Sequence, residues 1–540
     1  MALITFRLFA PYNAAAEMVA SFHDWQPQPM TKQDDGYFVY QTDLADGEYG
    51  YRYRIQSRSW FFEPDAWQEI VDPDATVINE EESLAIVRVH NGAIQPDDYI
   101  WQHDDVPLVP NRDLVIYELH VADFSGGEPD QDPRGKYVHV IEKLDYLKAL
   151  GINALELMPI KAYPGTYSWG YNPRYFCAPE PGYGSSADLK ALVDACHSQG
   201  IRVILDCVFN HADTSCPLAH IDHDYWFHHE PKDPEMSWGP EFNYDAFDEQ
   251  LQIHPARQFV TQVMRHWLQT YHLDGIRYDA ARQLAHLEFL QEITHEADHI
   301  AGIKPFFNVG EFIPDEAKMA RPTGPFESLW HESFYHVVVE HLTGERWEPE
   351  SLKDVLHAAR QGYPHATSVV NYLGNHDHSR LLERLAEKGL LGEAAFQRVK
   401  AGVLLLLTAW GIPMLWMGEE FGEYREQTQA PSKLRWGLLA HEDNQNLHAW
   451  YQGVLQIRQQ QPALRSDAFQ FLEGLPEEVI AYLRGDAQTG QVLVLLNLGE
   501  QPQTVALPAG NWLSLLAPDT TCSDEISLPG FEGVLLQLIA

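Results

Sequence analysis

The sequence predicts an α/β protein, a (β/α)8 TIM barrel with an N-terminal β-sandwich before it and a C-terminal β-sandwich after it. Three observations predict it. Between Asp113 and Pro462, apolar strand-like runs alternate with amphipathic helical segments, the pattern of successive βα units. Outside that stretch, short alternating strands and turn signals dominate. At 540 residues the chain also exceeds what one hydrophobic core organises, so several domains are expected.

Residues 1–105 form the predicted N-terminal module. Tyr37-Phe-Val-Tyr40 and Tyr49-Gly-Tyr-Arg-Tyr-Arg-Ile55 alternate apolar and polar positions, with turn signals at Asp35-Gly36 and Asp46-Gly47. Residues 106–465 form the predicted barrel. Its strands are expected at Val115–His120, Asn153–Met158, Arg202–Cys207, Gly275–Asp279, Phe306–Glu311, Ser328–Glu332, Ser368–Leu373 and Pro413–Met417. A helix is expected over Ala256–Leu273. Phe259, Val260, Val263, Met264 and Trp267 fall on one of its faces, and Pro255 suits the first helical position. A short insert, 211–253, precedes that helix. The last barrel helix is expected over Leu447–Gln460, stopped by Pro462. Residues 466–540, with strands at Val479–Leu483 and Gln491–Leu496, form a C-terminal β domain with a structural role.

Bulk composition narrows the function. A net charge of −41, from 37 basic against 78 acidic residues, repels phosphate backbones and anionic membranes, so neither is an expected partner. A neutral substrate is expected instead. The most hydrophobic run, Val403–Met417, is broken by Gly411 and Pro413 and falls short of the ~20 residues a membrane span needs. Five cysteines without a C-x-x-C pair, and an N-terminus without a continuous apolar core, favour a reduced, cytoplasmic protein.

The chemistry is carried by acidic residues at predicted strand ends. Asp206, Asp279, Glu311 and Asp377 all fall at or just past the C-terminal end of a strand, where barrel active sites sit. Buried acids are rare unless paired or functional, so packing is a poor explanation for several at one mouth. Asp279, Glu311 and Asp377 would supply a nucleophile, a proton donor and a third acid for substrate hydroxyls, as a retaining glycosidase requires. Arg277, two residues before Asp279, points to the same side of its strand and would help keep that carboxylate ionised.

These segments resemble glycoside hydrolase family 13, the α-amylase family. Asp206-Cys-Val-Phe-Asn210-His211, Gly275-Ile-Arg277-Tyr-Asp279, Gly310-Glu311 and Asn375-His376-Asp377 match its four motif regions in order. The resemblance implies Asp279 as nucleophile, Glu311 as acid/base and Asp377 as the residue that grips the sugar's 2- and 3-hydroxyls. It implies hydrogen bonds to the same sugar from His376 and His211, with Tyr171 stacked beneath the ring. Asp206 and Asn243 join the expected substrate-binding set, although bracing of the mouth is the favoured role for Asp206 and Asn210. The segments from Asp24-Trp25 to Gly47-Glu48-Tyr49 resemble family 48 carbohydrate-binding modules. Trp25 and Trp67 are then candidates for stacking on glucan, and packing accounts for them at least as well.

No metal and no cofactor are expected. His220, His223, His228 and His229, with Asp213, Asp222 and Asp224, lack the ligand spacing of a zinc site, and a loop or substrate-facing role is expected for them. Many α-amylases hold calcium through the equivalent of Asn210, whereas enzymes with a family 48 module often lack that ion.

Tyr117-Glu-Leu-His-Val121, Trp238-Gly-Pro-Glu-Phe-Asn243 and Met417-Gly-Glu-Glu-Phe-Gly422 resemble glycogen branching enzymes and maltooligosyltrehalose trehalohydrolases. The chain departs from both. Asn375 stands where branching enzymes usually have Ser, and His378 stands where trehalohydrolases normally have Gln. The leading expectation is therefore hydrolysis of α-1,4-glucosidic bonds in glycogen, starch or maltooligosaccharides by a monomer. Branching transfer and trehalose release are the alternatives. A silent glucan-binding scaffold is the competing class, and the intact acidic trio argues against it.

Overall fold

The computed structural model describes residues 2–539 apart from 80, 82, 96, 129–131, 426–427 and 519. Eight parallel strands close a barrel: β1 (Ile116–Leu119), β2 (Ala154–Leu157), β3 (Arg202–Cys207), β4 (Gly275–Tyr278), β5 (Phe307–Gly310), β6 (Ser328–Trp330), β7 (Val369–Asn371) and β8 (Ile412–Trp416). Each lies within its predicted run, apart from a one-residue start at Ile412. Their residues are buried on both faces, which is why the strands read as continuous apolar runs rather than alternating ones. Closure comes from β8 pairing β1, with Ile116 opposite Met414. In the β3–β4 register Asp206 lies opposite Arg277, so two charged residues become neighbours at the barrel floor.

The helix before β4 runs Pro255–Tyr271, with proline in its first turn as expected. The last barrel helix starts at Glu442 rather than Leu447. Its first turn is mostly exposed and polar, so it carries no apolar periodicity to mark the start. The predicted sixth strand also ends early, at Trp330, and Glu332 instead opens the helix Glu332–Thr343.

The N-terminal region folds into two antiparallel sheets, one built on Ala2–Phe9 and Tyr37–Leu44 and the other centred on Gly47–Gln56. The predicted insert is its docking platform. Asn13 Nδ2 donates to the Ile221 carbonyl at 2.9 Å, Ser57 Oγ to the His220 carbonyl at 2.7 Å, and Arg58 pairs with Asp222 at 2.9 Å. The loop or substrate-facing role expected for the histidine cluster is therefore corrected for His220 and His223, which lie on the helix Pro217–Trp226. The rings of His220 and His223 pack against Phe61, at centroid distances of 6.3 and 5.0 Å, in this junction.

At the other end of the chain, a six-stranded and a two-stranded sheet form the C-terminal region. Arg484, buried, donates to the carbonyls of Ala409 (2.7 Å) and Ser466 (2.8 Å), which fastens this sheet to the end of a barrel helix. All five cysteines are free thiols. Among the described residues no helix is long and apolar enough to cross a membrane.

Candidate active site

One arginine organises the floor of the barrel mouth. Arg277, fully buried on β4, donates from Nη1 to both oxygens of Asp206 (3.0 and 2.9 Å) and to Asp279 Oδ1 (2.8 Å). Its Nη2 lies 3.1 Å from Glu311 Oε2. The guanidinium face sits 4.1 Å from the centroid of the Trp330 ring. Burial opposes the charge, but Asp206, Glu311, Tyr171 and Asp279 outweigh it and hold the guanidinium protonated. Burial also pushes the Asp279 carboxyl well above the usual carboxylate range. Arg277 pulls it back, and the charges of Glu311, Asp206 and Asp377 add to the upward shift.

The backbone around Glu311 is built for close approach. Gly310 precedes it where a Cβ would meet the Phe326 ring at 2.6 Å. Ala280, after Asp279, adopts a left-handed conformation with φ 42°, unusual for a residue with a side chain. That turn lets its N–H donate to Glu311 Oε2 at 2.7 Å. The ends of β4 and β5 are thus tied together through the Glu311 carboxylate.

The turn after β7 supplies the third acid. Asn375 Oδ1 accepts from the N–H groups of Asp377 (2.9 Å) and His378 (2.8 Å), which fixes the direction of both side chains. His376 Nδ1 meets Glu118 Oε1 at 2.6 Å, and its Nε2 meets Asp377 Oδ2 at 3.1 Å. Burial opposes an imidazolium here, but Asp377 and Glu118 raise the His376 pKa well above its ordinary value. In return, and against burial, His376 draws the half-exposed Asp377 carboxyl below the usual range. The Tyr171 ring stacks on His376 at 4.8 Å, and its hydroxyl donates to Asp206 at 2.6 Å.

Above this floor lies a cavity of about 570 Å³ lined by Tyr171, His211, Asp279, Glu311, His376 and Asp377. Burial lowers the His211 pKa to about 4, so the ring is neutral near pH 7. Its Nδ1 meets Asn210 Oδ1 at 3.0 Å, and the residue lines the cavity. A second cavity, of about 540 Å³, touches Phe306 just before β5 and so lies at the N-terminal end of the strands, away from the acids.

Most of the sequence-predicted site residues therefore converge. Asp206 and Arg277 lie beneath the cavity and hold the acids rather than line it. Asn243 is a correction. Its side-chain oxygen accepts from the N–H groups of Asp245 (3.2 Å) and Ala246 (3.1 Å), capping a turn, and it does not line the cavity.

Glu118 and Glu156 were missed. Both are buried on β1 and β2, and among the described residues neither oxygen of Glu156 has a hydrogen-bond partner. Burial, then the Glu118 charge, pushes the Glu156 carboxyl well above the usual range. The available signal was one acid inside each apolar run, Tyr117-Glu118-Leu119 and Leu155-Glu156-Leu157. Trp238 and Met236, on the insert, also line the cavity.

A family model for the alpha amylase catalytic domain matches residues 118–446. The chain is 28% identical over 452 residues to a malto-oligosyltrehalose trehalohydrolase of Saccharolobus solfataricus, covering 78% of this chain and 74% of that protein. It is 25% identical over 549 residues to the 1,4-alpha-glucan branching enzyme GlgB of Pseudoalteromonas atlantica, covering 93% and 73%. Among solved structures, pullulanase type I of Bacillus subtilis str. 168 complexed with maltose superposes with a TM-score of 0.84 at 21% identity, over 100% of this chain and 84% of that one.

Proposed function

The chain belongs to the α-amylase family and is an α-glucan-active enzyme, and from that premise we propose that it hydrolyses α-1,4-glucosidic bonds with retention. One observation carries the reading. A single buried guanidinium contacts both Asp279 and Glu311 at the base of a cavity that Asp377 also lines.

In the first step the Asp279 carboxylate attacks the anomeric carbon while Glu311 gives its proton to the departing glycosidic oxygen. In the second step water attacks the same carbon, Glu311 takes a water proton, and Asp279 leaves. Asp377, gripped by His376, holds the ring hydroxyls. His211 Nε2 adds a hydrogen bond, and Tyr171 supports the ring from below. The domain limits that accompany this reading are 1–105, 106–465 and 466–540. The outermost residues, Met1 and Ala540, lie outside the described residues.

Trehalose release is the second reading. The similarity to the Saccharolobus solfataricus trehalohydrolase and the Asn375-His376-Asp377 sequence favour it. Branching transfer would use the same intermediate with a glucan 6-hydroxyl as acceptor. Product analysis on maltoheptaose and amylose tests the proposal. Shorter oligosaccharides with new reducing ends support hydrolysis. New α-1,6 branches without that gain would replace it with transfer, and trehalose from a maltooligosyltrehalose would replace it with the second reading.

A further inference from the structure

The residue after Asp377 enters none of the chemistry above, yet it sits in a cluster of its own. His378 approaches Glu332, the first residue of the helix after β6, and His336, one turn further along that helix. Glu332 Oε1 lies 3.4 Å from His336 Nε2 and 3.5 Å from His378 Nε2. One potential ligand atom from each of the three residues lies within 4.8 Å of the other two.

We propose that Glu332, His336 and His378 form a binding site for a divalent transition metal of the zinc class at the rim of the cleft. The donor set, two imidazoles and a carboxylate, is one that zinc accepts with a fourth position open to solvent. Bond lengths of 2.0–2.1 Å place tetrahedral ligand atoms about 3.3 Å apart. The two separations from Glu332 already match that edge. The remaining edge, between the two imidazoles, closes by rotation of His336, whose side chain is about half exposed.

Two further features fit a cation. The His378 ring is pre-oriented by stacking on Tyr335, with centroids 4.4 Å apart and planes 14° apart. Glu332, Glu340 and Asp315 all impose negative charge on His336. Occupancy would strap the turn that carries Asp377 to the helix after β6. The ion would be structural and take no part in bond cleavage.

The test uses the full-length protein, stripped with EDTA and dialysed, then titrated with zinc chloride by calorimetry alongside His336→Ala and His378→Gln. The expected result is one saturable equivalent in the wild type, at least tenfold weaker in both variants. Zinc should also raise the thermal midpoint of the wild type alone. No saturable zinc in the wild type, or wild-type affinity in His336→Ala, overturns the proposal. His336 is exposed enough for that variant to fold if His378→Gln does not. The readout is binding, so it stands or falls independently of the reaction catalysed.

Discussion

His376 Nδ1 lies 2.6 Å from Glu118 Oε1, joining the turn after β7 to the interior of β1. With Asp377, whose pull is larger, this contact keeps the histidine that grips Asp377 charged. Between two carboxylates the imidazole stays protonated well above its ordinary pKa, although burial alone would discharge it. A raised histidine pKa contributes stability that is fully present below the unfolded value of about 6.5 and is lost as pH rises through the folded value. The same sign applies to any activity that needs the imidazolium.

Glu118→Gln removes one of the two charges that raise that pKa. The alkaline limb of kcat/KM should then move to lower pH, with little change on the acidic side. Rate profiles of wild type and variant across pH 5–10 check this. Superimposable alkaline limbs would mean that His376 is not held charged by Glu118.

Much of this site was legible in the sequence, because a barrel carries its reactive residues at strand ends and the strands themselves read as unbroken apolar runs. Asp279, Glu311 and Asp377 could be placed at one mouth by counting strands. Glu118 could not. An acid in a four-residue buried strand looks the same whether it faces the barrel axis or a helix, and only the closed β8–β1 pairing brings it under His376. Asn243 failed in the opposite direction. Its motif is at the right place in the chain, but Asn243 satisfies nearby backbone N–H groups before it can reach a substrate. His378 was legible only as a departure from relatives. Its partners on the helix after β6 depend on Glu332 leaving the strand earlier than the apolar pattern suggests.

Asp279→Asn should abolish turnover, by about 10⁴-fold or more, while leaving maltooligosaccharide binding intact. It should also stabilise the fold. The Asp279 carboxyl is pushed up by burial and by three neighbouring acids, so its folded pKa exceeds the unfolded one. The unfolded chain then releases this proton first, and stability is lost as pH rises from the unfolded value through the folded one. Asparagine removes that loss. A rise in the thermal midpoint at pH 7, shrinking as pH falls toward 4, is expected. A midpoint that drops, or a difference independent of pH, would show that Arg277 fully compensates the buried charge.

Arg277→Lys keeps a positive charge on β4 but loses the fork that reaches Asp279 and Glu311 from different nitrogens. A lysine ammonium is a point charge and cannot hold both acids in register. The expected loss in kcat is about 10²–10³-fold, on the scale of removing a preorganised electrostatic contact. Arg277→Met should instead compromise folding, since it strands several buried carboxylates at a cost of about 3–5 kcal/mol. Denaturant midpoints measured beside kcat separate the two effects. Near-wild-type kcat in the lysine variant would show that the bidentate reach is dispensable.

Trp238 is one of the aromatic residues that line the cavity. It is about half exposed, it stands 5.8 Å from the His211 ring, and it lies on the insert rather than on a barrel strand. An exposed indole beside a substrate cavity gives a flat surface for a sugar outside the bond that is cut. Trp238→Ala should therefore raise KM for maltoheptaose by about tenfold, the equivalent of roughly 1.4 kcal/mol of lost contact. KM for maltotriose should change little if the short substrate does not reach the indole, and kcat should hold for both, because a contact made equally in ground and transition states lowers KM alone. KM and kcat across the maltooligosaccharide series measure this directly. An equal rise in KM at every chain length would move Trp238 to the sugar beside the cleaved bond. A fall in kcat instead would place it in the bond-breaking step.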